Sequence, residues 1–223
     1  MSAPTSSPVV VVGAGPGIGA ATARRFAAAG HPVAVVGRNR ERLDALAAEL
    51  TAASGSRAQA FVADVADRAT IRSAFAEIRA AFGDPGVLVH NPLVLQAGPP
   101  STLDLEALDA QLSANVTGAL ACVYEVLPAL LAAGHGTILH TGGGLAINTH
   151  HKYAGVGVAK AAQRSLFLSL AQELAPAGIH VATLTVCGMV TPGTRFAAEL
   201  MAEQHWQLHA QPDGAWETEI VVR

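Results

Sequence analysis

The sequence is short of most features that would set it apart from an ordinary globular chain. It has two cysteines, Cys122 and Cys187, in 223 residues. With no CxxC spacing they leave no disulfide framework, zinc knuckle or dithiol redox centre, and read as buried thiols in a reducing compartment. Charged residues make up 14% and the net charge is -3; without a Lys/Arg cluster there is no electrostatic footprint for nucleic acid. The opening MSAPTSS carries no basic region, and the apolar run after it, Val9–Val12, is too short for a signal sequence. No stretch approaches the ~18–20 apolar residues of a membrane span. His205 and His209 have the i,i+4 spacing of a metal pair but no third ligand, so no metal is expected and a surface or subunit contact is the simpler role. Internal repeats, low-complexity tracts and linkers are also missing. These absences predict a cytoplasmic protein of one domain, residues 8–223, behind a disordered tail, residues 1–7, with no nucleic-acid or membrane partner.

What is present is apolar and alternating. Hydrophobic residues reach 51%, and a chain of this length can bury a large core without covalent staples. Val9–Val12, Val33–Val36, Ala58–Val62, Val87–Val89, Thr137–His140, Val181–Val186 and Thr218–Val222 read as strands. Helical stretches fall between them: Ala20–Ala29 stopped by Gly30, one capped by Asn39 and running to Leu50, and one capped by Asp67 and ending near Gly83. A long apolar segment Asp104–Leu131 follows, with Pro128 marking a kink, then Tyr153–Leu174 and Phe196–His209. This alternation implies an α/β fold, a single Rossmann-type doubly wound parallel sheet of about seven strands with helices on both faces.

Directly after the first valine run comes Gly13-Ala14-Gly15-Pro16-Gly17-Ile18-Gly19. A glycine-rich turn between a first strand and a first helix lets the backbone approach a pyrophosphate, and the helix N-terminus attracts its charge. Pro16 donates no amide and suits a pre-set turn. An acidic residue ending the second strand would hydrogen-bond the 2'-hydroxyl of NAD; here Gly37 is followed by Arg38, with Arg40 nearby, so NADP(H) is favoured over NAD(H).

From Val9 to Val222 the chain resembles the short-chain dehydrogenase/reductases. GAGPGIG resembles the family's TGxxxGxG loop, with Val12 where threonine is usual. Asp64-Val65 resembles the pair that contacts adenine, and Asn91 sits where the NNAG motif ends the fourth strand, with Pro92 and Leu93 replacing Ala-Gly. Asn115 matches the helix asparagine that, in the family, holds a water leading to the catalytic lysine. In TVCGMVTPGT, Gly188 and Val190 match the segment that grips the nicotinamide amide; Cys187 and Pro192 replace its proline and threonine, for which Thr191 or Thr194 could substitute. The resemblance implies a homodimer or homotetramer through Asp104–Leu131 and Tyr153–Leu174.

The family's chemistry uses serine, tyrosine and lysine. The resemblance assigns the lysine to Lys160, but the tyrosine position holds Val156 and the serine position Gly143. Tyr153 lies seven residues before Lys160, on nearly the same helix face but about 4.5 Å further along the axis than the usual four-residue spacing. Gly155 and Gly157 each disfavour helix by roughly 1 kcal/mol, which predicts an irregular first turn able to shift Tyr153. His150 and His151 lie just upstream, His140 and Thr141 end the fifth strand where ligands sit, and Trp206 either packs or lines the pocket. The insert that covers substrate in many members is short here. Lys160, Tyr153 and Asn115 are thus the candidate catalytic residues of an NADP-dependent oxidoreductase acting on a small carbonyl or alcohol. Its proton comes from Tyr153, a histidine or the substrate itself. The same residues also fit a non-catalytic dinucleotide-binding protein or a non-redox enzyme reusing the pocket.

Overall fold

Runs of β-branched residues set the frame. The four valines of β1 (Val9–Val12) are all at most 1% exposed, as expected of a strand with neighbours on both edges and helices on both faces. With β2 (Val33–Gly37), β3 (Ala58–Val62), β4 (Val87–His90), β5 (Gly136–Gly143), β6 (Ile179–Val186) and β7 (Glu219–Val222) it forms one sheet in the order β3-β2-β1-β4-β5-β6-β7, every pairing parallel. The computed structural model describes residues 7–223. The tail expected over 1–7 lies outside them except for Ser7, whose carbonyl is 3.0 Å from His31 Nδ1.

Successive strand side chains point to opposite faces, and the core divides accordingly. Val9 and Val11 pack with α1 (Ile18–Ala28), α2 (Arg40–Ser54) and, further along the sheet, α7 (Ala198–His209). Val10 and Val12 face α3 (Arg68–Phe82), and that same core layer takes in α5 (Gly118–Ala133) and α6 (Ala154–Leu174). The helix starts follow local chemistry: Asn39 accepts from Arg42 N (2.9 Å), and Asp67 from Ala69 N (2.8 Å). Gly83 closes α3 at a positive φ of 81°.

The long segment expected over Asp104–Leu131 is continuous, but it changes pitch at a place the sequence does not mark. α4 (Leu105–Leu112) passes into a π-helical stretch, Ser113–Thr117, before α5. Pro128 lies inside α5 without interrupting it, on the exposed face, where water can satisfy the carbonyl it leaves unpaired. A close tertiary contact lies at the end of the wider turn. Gly118 presses so closely on the loop after β3 that an added Cβ would overlap the Val65 carbonyl oxygen, and the extra residue in the turn allows that approach. The helical run Leu105–Ala133 is long and apolar enough, by length and composition, to cross a membrane. That corrects the expectation drawn from uninterrupted apolar runs, because Glu106, Asp109 and Glu125 are spread along it.

Several histidines are core residues. His90 and His140 are register partners on β4 and β5, both wholly buried; His140 stacks on Phe167 at 4.3 Å, and His90 lies 5.7 Å from His140. Burial, reinforced by the nearby Lys160 charge, lowers His90 to about 3 and His140 well below the usual range. Burial likewise lowers His205 on α7 to about 4.

Two outcomes follow from this packing. Gly118→Ala is expected to cost about 1–3 kcal/mol through overpacking against Val65, read as a fall in the urea midpoint at unchanged m. An imidazole that titrates near 6.5 unfolded but at about 4 or below when folded stays neutral in the native state while the unfolded chain takes up a proton. Stability is therefore complete above about pH 6.5 and is lost as pH falls, by ~1.4 kcal/mol per unit for each such group. With His90 and His205 together the expected loss is up to about 3 kcal/mol between pH 6 and 5, and His140, also lowered by burial, acts in the same direction. Urea titrations across that range check it, and a flat profile contradicts it.

Candidate active site

The turn after β1 is closed by two glycines and opened by two others. Gly13 has φ +79°, and a Cβ there would come within 2.7 Å of Pro92 N; a Cβ on Gly19 would overlap the Gly13 carbonyl oxygen. Asn91 Nδ2 donates to that same carbonyl at 3.0 Å, tying the turn to the end of β4. Gly15 and Gly17 instead face open space, with no atom within 4 Å of an added Cβ, and Gly17 precedes α1 at φ +111°. α1 starts with neither a side-chain cap nor an acidic residue in its first turn, so its positive end is left for an anion. The turn thus fits a dinucleotide pyrophosphate: an open cradle at Gly15 and Gly17, with Ile18 at the helix start.

From this turn a cleft of about 370 Å³ runs over the ends of β2 and β3, lined by Arg38, Arg42, Asp64 and Val65 among others. Arg38 is exposed on its wall, as expected. Arg40 is turned elsewhere, its Nη1 donating to Ala60 O at 3.2 Å and lying 3.7 Å from Asp44. Arg42, which the strand-end reading overlooks, takes its place, because Asn39 starts α2 so that the first helical turn swings position 42 back over β2. Asp64 uses a carboxylate oxygen to hold the Ala66 amide at 2.9 Å.

A larger cavity of about 860 Å³ adjoins the cleft through Pro16, Asn91 and Leu93 and opens over the ends of β5 and β6. Lys160 forms part of its wall. It is 5% exposed, its Nζ donates to the Thr141 carbonyl at 3.1 Å, and burial lowers it to about 8. Gly143 and Val156 line the cavity beside it. A Cβ on Gly143 would meet Lys160 Cδ and Cε at 3.7 Å, an ordinary contact, so there is room for a side chain where the sequence has none.

Tyr153 lines the same cavity, half-buried, but not by the expected distortion. α6 is regular from Ala154 onward, with Gly157 N donating to Tyr153 O at 2.9 Å, and Gly155 packs against Gln111. Tyr153 stands just before the helix, its backbone neighbours bonded to Gly98: Gly98 N to Lys152 O at 2.8 Å, Ala154 N to Gly98 O at 3.3 Å.

Asn115, also a catalytic candidate, is fully engaged and does not line the cavity. Its Oδ1 accepts from Val94 N at 3.2 Å, its Nδ2 donates to Gln111 O at 2.9 Å, and its carbonyl accepts from Gln163 Nε2. Gln163, wholly buried and three residues after Lys160, went unnoticed in the sequence because glutamine carries no titratable signal.

Among the other candidates, Thr141, His150, Gly188 and Val190 line the cavity, whereas His140 is stacked in the core behind it. Cys187, expected to be buried, is half-buried on the cavity wall. Thr191 and Thr194 turn their hydroxyls to the Met189 and Thr191 carbonyls. His205 and His209 make neither a metal pair nor, in the case of His205, a surface. His205 Nδ1 is 3.0 Å from Thr22 Oγ1 on α1 and its Nε2 3.4 Å from Thr141 Oγ1, while His209 pairs with Thr137. Trp206 packs against Phe26 and under Arg25, away from the cavity. Leu93, together with Leu95 and Met189, which the sequence reading did not single out, gives the cavity an exposed apolar rim.

Known proteins share this architecture. Residues 7–204 match the short chain dehydrogenase family. The oxidoreductase asL5 of Sarocladium schorii is 30% identical over 207 residues, 93% of this chain and 80% of that protein. D-threitol dehydrogenase of Mycolicibacterium smegmatis is 32% identical over 190 residues, 82% of this chain and 70% of the relative. A metagenomic short-chain oxidoreductase solved in complex with NADP superposes with a TM-score of 0.89 over 98% of this chain and 97% of its own, at 28% identity. With the glycine turn, the sheet order and Lys160 in their places, the chain belongs to the short-chain dehydrogenase/reductase family of NAD(P)-dependent oxidoreductases.

Proposed function

We propose that this protein is an NADP(H)-dependent oxidoreductase that transfers hydride to or from a small carbonyl or alcohol, using a proton donor other than a serine–tyrosine pair. The observation that carries the reading is the continuity of the cofactor cleft with the Lys160 cavity through Asn91. Gly13, Gly15, Gly17, Ile18 and Gly19 form the pyrophosphate turn; Asp64 and Val65 flank the adenine; Asn91 and Lys160 serve the ribose; Gly188 and Val190 lie at the nicotinamide end. Arg38 and Arg42 offer two guanidinium groups to a 2'-phosphate. The bound dinucleotide supplies or accepts the hydride. Support also comes from the related metagenomic oxidoreductase, which was solved with NADP. The helical run 105–133 is one-third buried within the chain and leaves Leu105, Tyr124 and Leu131 exposed, a face suited to a homodimer or homotetramer.

Gly143 and Val156 favour a second reading, a dinucleotide-binding protein without turnover, because no hydroxyl stands at either position beside Lys160. Calorimetry with NADPH, followed by nicotinamide absorbance against a panel of aldehydes, ketones and imines, separates the two. The oxidoreductase reading expects NADPH oxidation, slowed at least ~100-fold by Lys160→Ala; tight binding with no turnover across the panel supports the second. Arg38→Ala combined with Arg42→Ala is expected to weaken NADPH by ~10- to 100-fold and NADH by less than ~3-fold. Equal losses for both cofactors would count against the phosphate assignment.

A further inference from the structure

Resting on that reading, we propose that Lys160 itself carries the reaction's proton, passing it directly between its ammonium and the substrate oxygen in the space beside Gly143 and Val156. Three features converge on it. The first is access: Lys160 lines the cavity, and the Thr141 carbonyl is its one hydrogen-bond partner among the described residues, leaving two of three N–H bonds for other acceptors. The space over its aliphatic stem is open at Gly143, and Val156 offers no competing donor.

The second feature is the electrostatic setting. Around Lys160 stand His90, His140 and His205, which burial lowers, together with the uncharged Gln163 side chain of its own helix and the Thr141 carbonyl; Tyr153, His150 and Cys187 line the same cavity. No aspartate or glutamate lines the cavity to hold the ammonium charged. Uncompensated burial lowers the amine to about 8, near the range where a general acid both holds and releases its proton. Tyr153 sits seven residues earlier, before the first turn of α6.

The third is resupply. The Asn115 carbonyl is occupied by Gln163, which closes the inner side, whereas the connection from β6 to α7 spans only residues 187–197 and leaves Met189 85% exposed at the mouth. Water therefore reaches the amine from the cavity side. In reduction, the carbonyl carbon gains hydride, the C=O π pair becomes an O–H bond to the proton released from Lys160 Nζ, and the neutral amine takes a proton from water. Oxidation runs the same steps in reverse.

The chain has two lysines, Lys152 and Lys160, so lysine-selective ¹⁵N NMR of the side-chain nitrogens gives two resonances. Lys160→Arg identifies one and Lys152→Arg the other. The proposal expects the Lys160 resonance to titrate near pH 8, and single-turnover reduction to fall about tenfold per pH unit above that point. Lys160→Arg keeps a cation and its donors but holds its proton. It should slow hydride transfer at least ~100-fold when NADPH is saturating; Lys152→Arg should leave the rate unchanged. A Lys160 resonance titrating near 10 while turnover is intact overturns the proposal alone, as does Tyr153→Phe abolishing the step that Lys160→Arg retains. Absence of turnover with every substrate, whatever the resonance does, overturns the functional reading and the proposal with it.

Discussion

The hydrogen bond from Asn91 Nδ2 to the Gly13 carbonyl is short, local and central to the site. It joins the ends of two adjacent parallel strands at the point where the sheet turns from one half to the other, where α/β proteins open a crevice. Gly19 makes the bond possible by keeping α1 clear of the same carbonyl. On one side of this junction lies the cleft with Arg38 and Arg42, on the other the cavity with Lys160. Moving it by an ångström would separate the two compartments that hydride transfer requires to be continuous.

A second layer of organisation lies behind the site, where polar groups are buried in an otherwise aliphatic and phenylalanine core. His205 bridges Thr22 on α1 and Thr141 on β5, and Thr141 in turn offers its carbonyl to Lys160. The helix that follows the glycine turn and the carbonyl that accepts from Lys160 are thus coupled through one imidazole. Because buried polar groups are costly when left unpaired, this link constrains the relative placement of α1, α7 and β5 more sharply than apolar contacts do.

Sequence reading reached the parts of the molecule that depend on neighbours in the chain. The glycine turn, the Asn39 and Asp67 caps and the alternation of strand and helix follow from spacing, and the family resemblance points to Lys160, Gly143 and Val156. It did not reach features set by residues far apart. Thr22 and His205 are 183 positions from one another, and Gln163 meets Asn115 across 48. A kink is expected at Pro128, a local signal, whereas the pitch changes instead at Ser113–Thr117, next to the contact of Gly118 with Val65 between elements. The same limit explains Arg42: only the angle at which α2 leaves β2 brings it to the cleft.

The short β6–α7 connection has a kinetic meaning. Many enzymes of comparable architecture spend their slowest step opening a cover to let product go. Here the cavity mouth is bounded by a brief segment with Met189 standing out in solvent, so that in the proposed oxidoreductase reactants would enter and leave without waiting on a large closure. For that proposed reaction the same openness would forgo the binding energy that enclosing a substrate gives, and would leave discrimination among substrates to the Leu93, Leu95 and Met189 rim. The fold has in effect exchanged grip for traffic.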